Sequence, residues 1–172
     1  LLIAALFLLS IRVSPVHATN AIVGTGTPAS CTEDAFTDAL NSVEGGGGGV
    51  ITFNCGGPAT ITFETSKIIN GPAVTIDGGG SVILSGINKT RLFYVESNAA
   101  LELRNITLTK GLDTTYGGGA VLSLGELALE NTTIRDSNVD SNHSGGAIMS
   151  LGPVTINDSL IENNTGGSAG GL

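Results

Sequence analysis

The residues of this chain that could do acid–base or metal chemistry are a few acids and bases that recur at a fixed spacing. Clustered carboxylates bind Ca²⁺, and a carboxylate beside a second acid or a basic side chain can cleave a glycosidic linkage. Lys110, Asp136 and Asn163 follow at steps of 26 and 27 residues, which stacks one cation, one acid and one amide. Asp136 and Asp140 are close on a turn and could bind Ca²⁺ weakly, and Asp77 faces outward in a glycine-rich turn. None of these sets forms a triad, so the sequence predicts no catalytic residue, no metal ligand and no cofactor site.

A second motif with a chemical interpretation is GTGTPA, which begins at Gly24 and matches the degenerate dinucleotide pattern G-x-G-x-x-A. That pattern binds a pyrophosphate where a strand leads into a helix at the glycines. Here Pro28 interrupts the motif, and repeats follow it instead of helices. We therefore predict that residues 19–30 are a flexible mature N-terminus. The sequence has no Gly-Lys pair and hence no P-loop.

The two cysteines, Cys31 and Cys55, are predicted to form a disulfide. A metal or redox pair would call for C-x-x-C spacing or histidine partners, and His143 is the one histidine beyond the predicted leader. In the chain-entropy description, the bond would stabilise the fold by about 3 kcal/mol.

The first residues resemble an export signal. Residues 1–9 are apolar, Arg12 and Pro15 break the run, and the small residues up to Ala18 suit signal peptidase. We predict a signal peptide over residues 1–18, truncated at its start and cleaved after Ala18. The apolar run is too short for a membrane-spanning helix, which needs about 20 residues. The chain stops within a repeat, so we expect it to continue beyond residue 172.

Composition excludes one class of partner. The sequence carries a formal net charge of −8, with 15 acids against 7 bases and no Trp. Nucleic-acid binding requires a basic patch or stripe, so we expect no nucleic-acid partner.

The strongest pattern is an internal repeat. GGAVLS at Gly118 returns as GGAIMS at Gly145, and four strand-like segments start at steps of 27, 26 and 27 residues. Alternating apolar residues in these segments predict strands with one buried face. The first core column is Val74, Leu101, Leu127 and Val154, and the second is Ile76, Leu103, Leu129 and Ile156. Two residues further on, a turn ladder of Gly78, Asn105, Asn131 and Asp158 consists of residue types that tolerate a left-handed backbone.

This spacing predicts an all-β fold, a right-handed parallel β-helix solenoid, with three short strands in each repeat. One repeat buries too few apolar side chains to offset its backbone entropy, so neighbouring repeats must share strand pairings and core columns. The predicted β-helix domain covers residues 31–172 and is incomplete at its C-terminus.

A short helix is predicted to cap this domain. Ser30 and Glu33 have the spacing of a capping box, and the apolar residues from Ala35 to Val43 fall on one helical face. GGGGG from Gly45 then ends the helix. We expect the helix to cover the open apolar end of the first repeat, tied to it by the disulfide.

Several of these pieces resemble known families. VTIDGGG at Val74 and the asparagine column resemble right-handed parallel β-helix proteins, the column being similar to the turn ladder of pectate-lyase-like folds. GGA[ILV] with [FI]-x-x-N, present at 145–148 and 161–164, resembles the repeats of polymorphic outer membrane proteins and related bacterial surface proteins. The preceding unit departs from this pattern, with Ser137 where the later one has Asn164. CTEDAFTDAL at Cys31 loosely resembles a CSLREA-type N-terminal motif.

The resemblance indicates a secreted or cell-surface protein, non-catalytic, acting as an adhesin or extracellular scaffold. The alternative is the N-terminal part of a carbohydrate-active enzyme, a polysaccharide lyase or glycoside hydrolase, because such scaffolds host both. The expected partners are extracellular glycans or host and cell-surface molecules. Asn-x-Ser/Thr occurs six times, at Asn88, Asn105, Asn131, Asn142, Asn157 and Asn163. These sites are best interpreted as turn and strand residues rather than glycan acceptors.

Overall fold

The computed structural model describes residues 18–172, which form one α-helix and a series of short strands. The helix α1 spans Glu33–Gly45 and follows a 3-10 turn at Pro28–Ser30. The strands are β1 (Ala21–Val23), β2 (Gly49–Phe53), β3 (Ala59–Thr62), β4 (Lys67–Ile69), β5 (Val74–Ser85), β6 (Phe93–Val95), β7 (Ala100–Thr109), β8 (Leu112–Asp113), β9 (Val121–Ser123), β10 (Glu126–Glu130), β11 (Thr133–Arg135), β12 (Asn138–Val139), β13 (Ile148–Ser150), β14 (Val154–Asn157) and β15 (Leu160–Glu162).

These strands form three sheets, and the pairings within them are parallel. The largest sheet has nine strands in the order β1-β2-β5-β7-β10-β14, with β3, β11 and β15 paired alongside. A four-stranded sheet has the order β13-β9-β6-β4, and β8 pairs with β12 in a two-stranded sheet. Parallel neighbours require a connection that returns the chain to the same end, so each strand pairs with one that is distant in sequence.

The two predicted core columns lie across β5, β7, β10 and β14. Val74 pairs with Leu101, Leu101 with Leu127, and Leu127 with Val154, and the second column is in the same register two residues later. The column residues of β5, β7 and β10 are buried, with exposed fractions of 1% or less. In β14, Val154 is half-buried and Ile156 is 40% exposed, because the structure describes no further strand over that face.

The predicted turn ladder divides into two kinds of position. Asn105, Asn131 and Asp158 have φ values of 48°, 47° and 47°, in the left-handed region. The side chains also form a ladder, in which Asn131 Nδ2 donates to Asn105 Oδ1 at 2.8 Å and Asn105 Nδ2 donates to Asp77 Oδ1 at 3.0 Å. Gly78 does not have a positive φ. It lies against the backbone of Asn105, where a Cβ would approach the carbonyl oxygen to 2.7 Å.

Helix α1 packs against β1 and β2 and contributes directly to the core. Its cap is Thr32, whose hydroxyl accepts a hydrogen bond from the Ala35 N–H at 3.1 Å, so the predicted capping box at Ser30 is wrong by two residues. The Phe36 ring lies 4.9 Å from Phe63 and about 6 Å from two further phenylalanine rings. The helix ends at Gly45, at the start of the predicted glycine run.

The predicted disulfide is confirmed. Cys31 and Cys55 are bonded, with their Cα atoms 5.6 Å apart and a sequence separation of 24. Both side chains are buried, so the bond joins the start of α1 to the segment after β2 inside the core.

The predicted fold class, an all-β right-handed parallel β-helix solenoid with a cap helix, is wrong. The chain has a mixed architecture, in which one helix packs with parallel strands divided among sheets of nine, four and two strands. The helix gives Phe36, Leu40 and Val43 to the common core, so the class is not all-β. Moreover, β5 and β7 extend for 12 and 10 residues through the predicted bend at Gly78 and Asn105, because their ladder continues on both sides of it. The repeats that contain β5 and β7 therefore do not consist of three short strands, as was predicted.

The segment predicted to be a flexible N-terminus, residues 19–30, is paired with the large sheet. Ala21 and Val23 of β1 are in register with Ile51 and Phe53 of β2, and Val23 is fully buried. The predicted signal peptide lies outside the described residues except for Ala18.

Candidate binding groove

The outward face of the four-stranded sheet carries an uninterrupted apolar column. Ile68 pairs with Tyr94, Tyr94 with Leu122, and Leu122 with Met149, one residue from each strand. Because side chains alternate along a strand, the neighbours of these four residues point into the core and these four point away from it. Ile68 is 52% exposed. We call these four residues the outer column.

A groove of about 560 Å³ runs beside the outer column. Its volume is within the range of about 300–1,000 Å³ that is typical of small-molecule sites. Tyr116 and Leu151 form its most exposed walls, at 68% and 72% exposure. The lining residues are Arg91, Tyr94, Tyr116, Leu122, Leu124, Met149 and Leu151.

Arg91 holds the loop that carries Tyr116. Its Nε donates to the Gly118 carbonyl at 2.9 Å, and Nη2 donates to the Gly117 carbonyl at 2.8 Å. The same Nη2 forms an ion pair with Asp113 Oδ1 at 2.7 Å, and the two side chains are 11% and 12% exposed. Burial lowers the pKa of Arg91, and the Asp113 charge opposes that shift.

Asp113 in turn fixes the backbone of this loop. Its Oδ2 accepts hydrogen bonds from the N–H groups of Thr115, Tyr116 and Gly117 at 3.0, 2.7 and 2.9 Å. Burial alone would raise the pKa of Asp113, but these donors and Arg91 outweigh it and hold the pKa below its ordinary value. The carboxylate is thus ionised and engaged at both oxygens, and it fixes the backbone of the loop at Tyr116.

A smaller polar pocket of about 190 Å³ lies on the other side of Arg91. It is lined by Ser66, Lys89, Thr90, Arg91, Leu112, Asp113 and Thr114. The Ser66 hydroxyl oxygen is buried and has no hydrogen-bond partner among the described residues. An unpaired buried hydroxyl is costly, and because this oxygen is closed to solvent it is not a contact point for a ligand in the pocket.

The outward face of the nine-stranded sheet is different in character. Arg104 Nη2 lies 2.7 Å from Glu102 Oε1, and Arg104 Nε lies 3.3 Å from Glu130 Oε2. The second contact is an ion pair without hydrogen-bond geometry, since Arg104 Nε has no hydrogen-bond partner in the described chain. The first pair lies within β7 and the second joins β7 to β10, and such partly exposed ion pairs are typical of a solvated sheet face and contribute little stability.

The residues singled out first for chemistry do not converge on a site. Lys110, Asp136 and Asn163 have φ values of 52°, 56° and 53°, so they occupy equivalent left-handed bends. Asp136 pairs with the neighbouring Arg135 at 3.0 Å. Asp140 contacts His143 Nδ1, and that hydrogen bond holds the pKa of Asp140 below its ordinary value.

Asp77 Oδ1 accepts hydrogen bonds from the Gly79 N–H and from Asn105 Nδ2. Within residues 18–172, no three His, Cys, Asp or Glu side chains are grouped so that they could hold a metal ion. The helix of this part of the chain is neither long nor apolar enough to span a membrane.

The groove residues were missed from the sequence, although a signal was present. GGAVLSL and GGAIMSL place leucine or methionine at two successive outward positions, Leu122 and Leu124 in one unit and Met149 and Leu151 in the next. A solvated strand face would have polar residues there. No family model, curated protein or solved structure matches this chain, so its function has to be argued from the groove and its surroundings.

Proposed function

We propose that this chain belongs to a secreted or cell-surface protein that acts without catalysis, as an adhesin or extracellular scaffold. Its partner, an extracellular glycan or a molecule on a cell surface, docks on the outer column and in the groove beside it. The observation that carries the proposal is the in-register apolar column on the outward sheet face together with the exposed side chains of Ile68, Tyr116 and Leu151, since contiguous exposed apolar patches mark interaction sites.

Two further features support an extracellular binding role. The Cys31–Cys55 disulfide is of a kind that persists in oxidising compartments. The backbone of the loop that carries Tyr116 is fixed in advance by the Arg91–Asp113 ion pair and its hydrogen bonds, which lowers the entropic cost of binding. A catalytic carboxylate would need a lone pair facing its substrate. Asp113, the carboxylate beside the groove, instead has both oxygens occupied.

The binding role is tested with the purified chain displayed on beads, scored for adhesion to intact cells and to immobilised extracellular glycans. The variant is the double substitution Tyr116→Ala and Leu151→Ser, at side chains exposed enough to leave the fold intact. The matched control is Ile22→Ser, because Ile22 is 66% exposed on a different sheet. We expect the double variant to lose at least about tenfold in adhesion, since burying one such side chain contributes about 1.5–3 kcal/mol. Equal adhesion by the double variant and the wild type would refute the groove as the docking site.

Export is tested separately, by N-terminal sequencing of protein recovered from outside the producing cell. The expected first residue is Thr19, which would place cleavage after Ala18. Recovery of the chain only inside the cell, with residues 1–18 still attached, would refute export.

A further inference from the structure

We propose that the groove binds an uncharged oligosaccharide, whose sugar rings lie along the outer column with their apolar faces against Tyr94 and Tyr116. This inference rests on the proposed binding function and names the class of its ligand. It is carried by the shape of the groove, by the balance of charges around it, and by the polar pocket beside Arg91.

The shape suits an extended ligand with flat apolar faces. The outer column crosses four strands, and three strand spacings of about 4.8 Å make it about 14 Å long. Tyr94 lies within this column and Tyr116 stands beside it, so two aromatic rings border one groove. The face of an aromatic ring carries negative charge density and attracts the polarised C–H groups of a sugar ring. The aliphatic residues Leu122 and Met149 extend the same platform.

The charges around the groove argue against an acidic ligand. Arg91 is neutralised by Asp113 at 2.7 Å, and the exposed Lys89 pairs with Glu64 at 3.3 Å. Neither cation therefore leaves an uncompensated positive charge for a carboxylate or sulfate group. The sequence as a whole carries −8, which repels a polyanion approaching within a screening length of about 8 Å at physiological salt.

The neighbouring polar pocket supplies the hydrogen bonds that a sugar requires. The pocket offers the hydroxyls of Thr90 and Thr114, and it meets the apolar groove at Arg91. Thr114 is exposed, so its hydroxyl can pair with a ligand hydroxyl, whereas the Ser66 oxygen is closed to solvent. A purely apolar ligand that covered Thr114 would leave its hydroxyl unpaired. The combination of an apolar platform with adjacent hydroxyl groups therefore favours a saccharide over an apolar peptide.

The experiment is isothermal titration of the full chain with hexasaccharides of three kinds, at 50 and 300 mM salt. Cellohexaose and mannohexaose are the uncharged probes, and hexagalacturonate is the acidic one. We expect an uncharged hexamer to bind with an affinity that does not depend on salt. Tyr116→Ala should weaken that binding about tenfold and Thr114→Val about three- to tenfold, whereas Ile22→Ser should leave it unchanged.

Other outcomes overturn the inference in distinguishable ways. Tighter, salt-dependent binding of hexagalacturonate would show that the ligand is acidic. Binding of an apolar hexapeptide in the absence of any saccharide binding would identify a protein partner. The first result overturns the assignment of an uncharged ligand and the second overturns the saccharide assignment, but both leave the docking function in place. If no probe binds and the groove variants adhere to cells as well as the wild type, both proposals fail.

Discussion

A buried ion pair holds the helix to the strands and makes the stability of the fold depend on pH. Lys67 Nζ lies 2.6 Å from Glu33 Oε1, with side chains that are 7% and 20% exposed. Glu33 also accepts hydrogen bonds from the N–H groups of Glu64 and Thr65 at 2.8 and 3.1 Å, and from the Thr65 hydroxyl at 2.9 Å. The Lys67 ammonium in turn lies 5.0 Å from the centre of the Phe63 ring.

These contacts lower the pKa of Glu33. Burial by itself would raise the pKa, but the hydrogen bonds from Lys67, Glu64 and Thr65 outweigh it and bring the pKa from 4.5 to about 2. A shift of about 2.5 units at about 1.36 kcal/mol per unit corresponds to about 3 kcal/mol of stability. Because the folded-state pKa lies below the unfolded one, this contribution is complete above pH 4.5. It is lost as the pH falls from 4.5 towards about 2, where both states bind the proton.

The perturbation is Glu33→Gln, measured by urea unfolding from pH 2 to pH 7 with the disulfide intact. We expect the substitution to lower the free energy of unfolding by about 3 kcal/mol at pH 6, because Lys67 is left buried beside a neutral side chain. The difference from the wild type should shrink towards zero near pH 2. The control is Glu64→Gln in the Lys89–Glu64 pair, whose side chains are 60% and 63% exposed, so its effect should stay below about 0.5 kcal/mol. A Glu33→Gln deficit of the same size at pH 2 and pH 6 would refute the electrostatic reasoning.

Three other substitutions test the core and the close-packed glycines by denaturant unfolding. Replacing Cys31 and Cys55 with serine should cost about 3 kcal/mol in the chain-entropy description, and a cost below about 1 kcal/mol would mean that the bond constrains little. Phe36→Ala should cost about 3–5 kcal/mol through a core cavity, and a near-neutral effect would show that the helix does not anchor the strands. Gly119→Ala should destabilise by more than about 2 kcal/mol, since its Cβ would overlap two backbone carbonyl oxygens. Gly45→Ala is the control, because Gly45 lies at the helix end with open space around it. This substitution should be neutral or stabilising by about 0.5 kcal/mol. Equal costs for Gly119→Ala and Gly45→Ala would contradict the packing argument.

The sequence predicted the positions and register of the strands better than it predicted how those strands group into sheets. Alternation of apolar residues at a 26–27 residue spacing placed Leu101 beside Leu127 and Val74 beside Leu101, because a one-residue slip would turn each column to solvent. The two cysteines were sufficient to predict their bond. The repeat length alone, however, did not determine how the strands group into sheets, nor that β5 would continue as one strand through its glycines.

The start of the helix shows why a local sequence signal can misplace a helix cap by two residues. Ser30 and Glu33 have capping-box spacing, yet Ser30 instead closes the preceding turn, where its hydroxyl accepts from the Thr25 N–H and donates to the Thr27 carbonyl. Glu33 points away from the helix start and binds the loop before β4. Both side chains have tertiary or turn partners that outcompete the cap, and these partners cannot be read from local spacing. Thr32 takes the position instead.

In the two GGA units, the glycine and alanine positions can be compared with the outward positions that follow them. Gly118 and Gly145 have φ values of 69° and 68°, and Ala120 and Ala147 are fully buried, so backbone geometry and packing account for these residues. Among the outward positions that follow, Leu122 is 7% exposed and packing accounts for it, whereas Met149 is half-buried and Leu151 is 72% exposed, so packing does not require an apolar side chain at those two positions. Apolar residues nevertheless occupy both of them, and an aromatic residue occupies the equivalent outward position in β6. Departures from local rules that stability does not explain are expected at functional sites. For this reason the outer column, and not the stacked acids, is where the function of this chain should be sought.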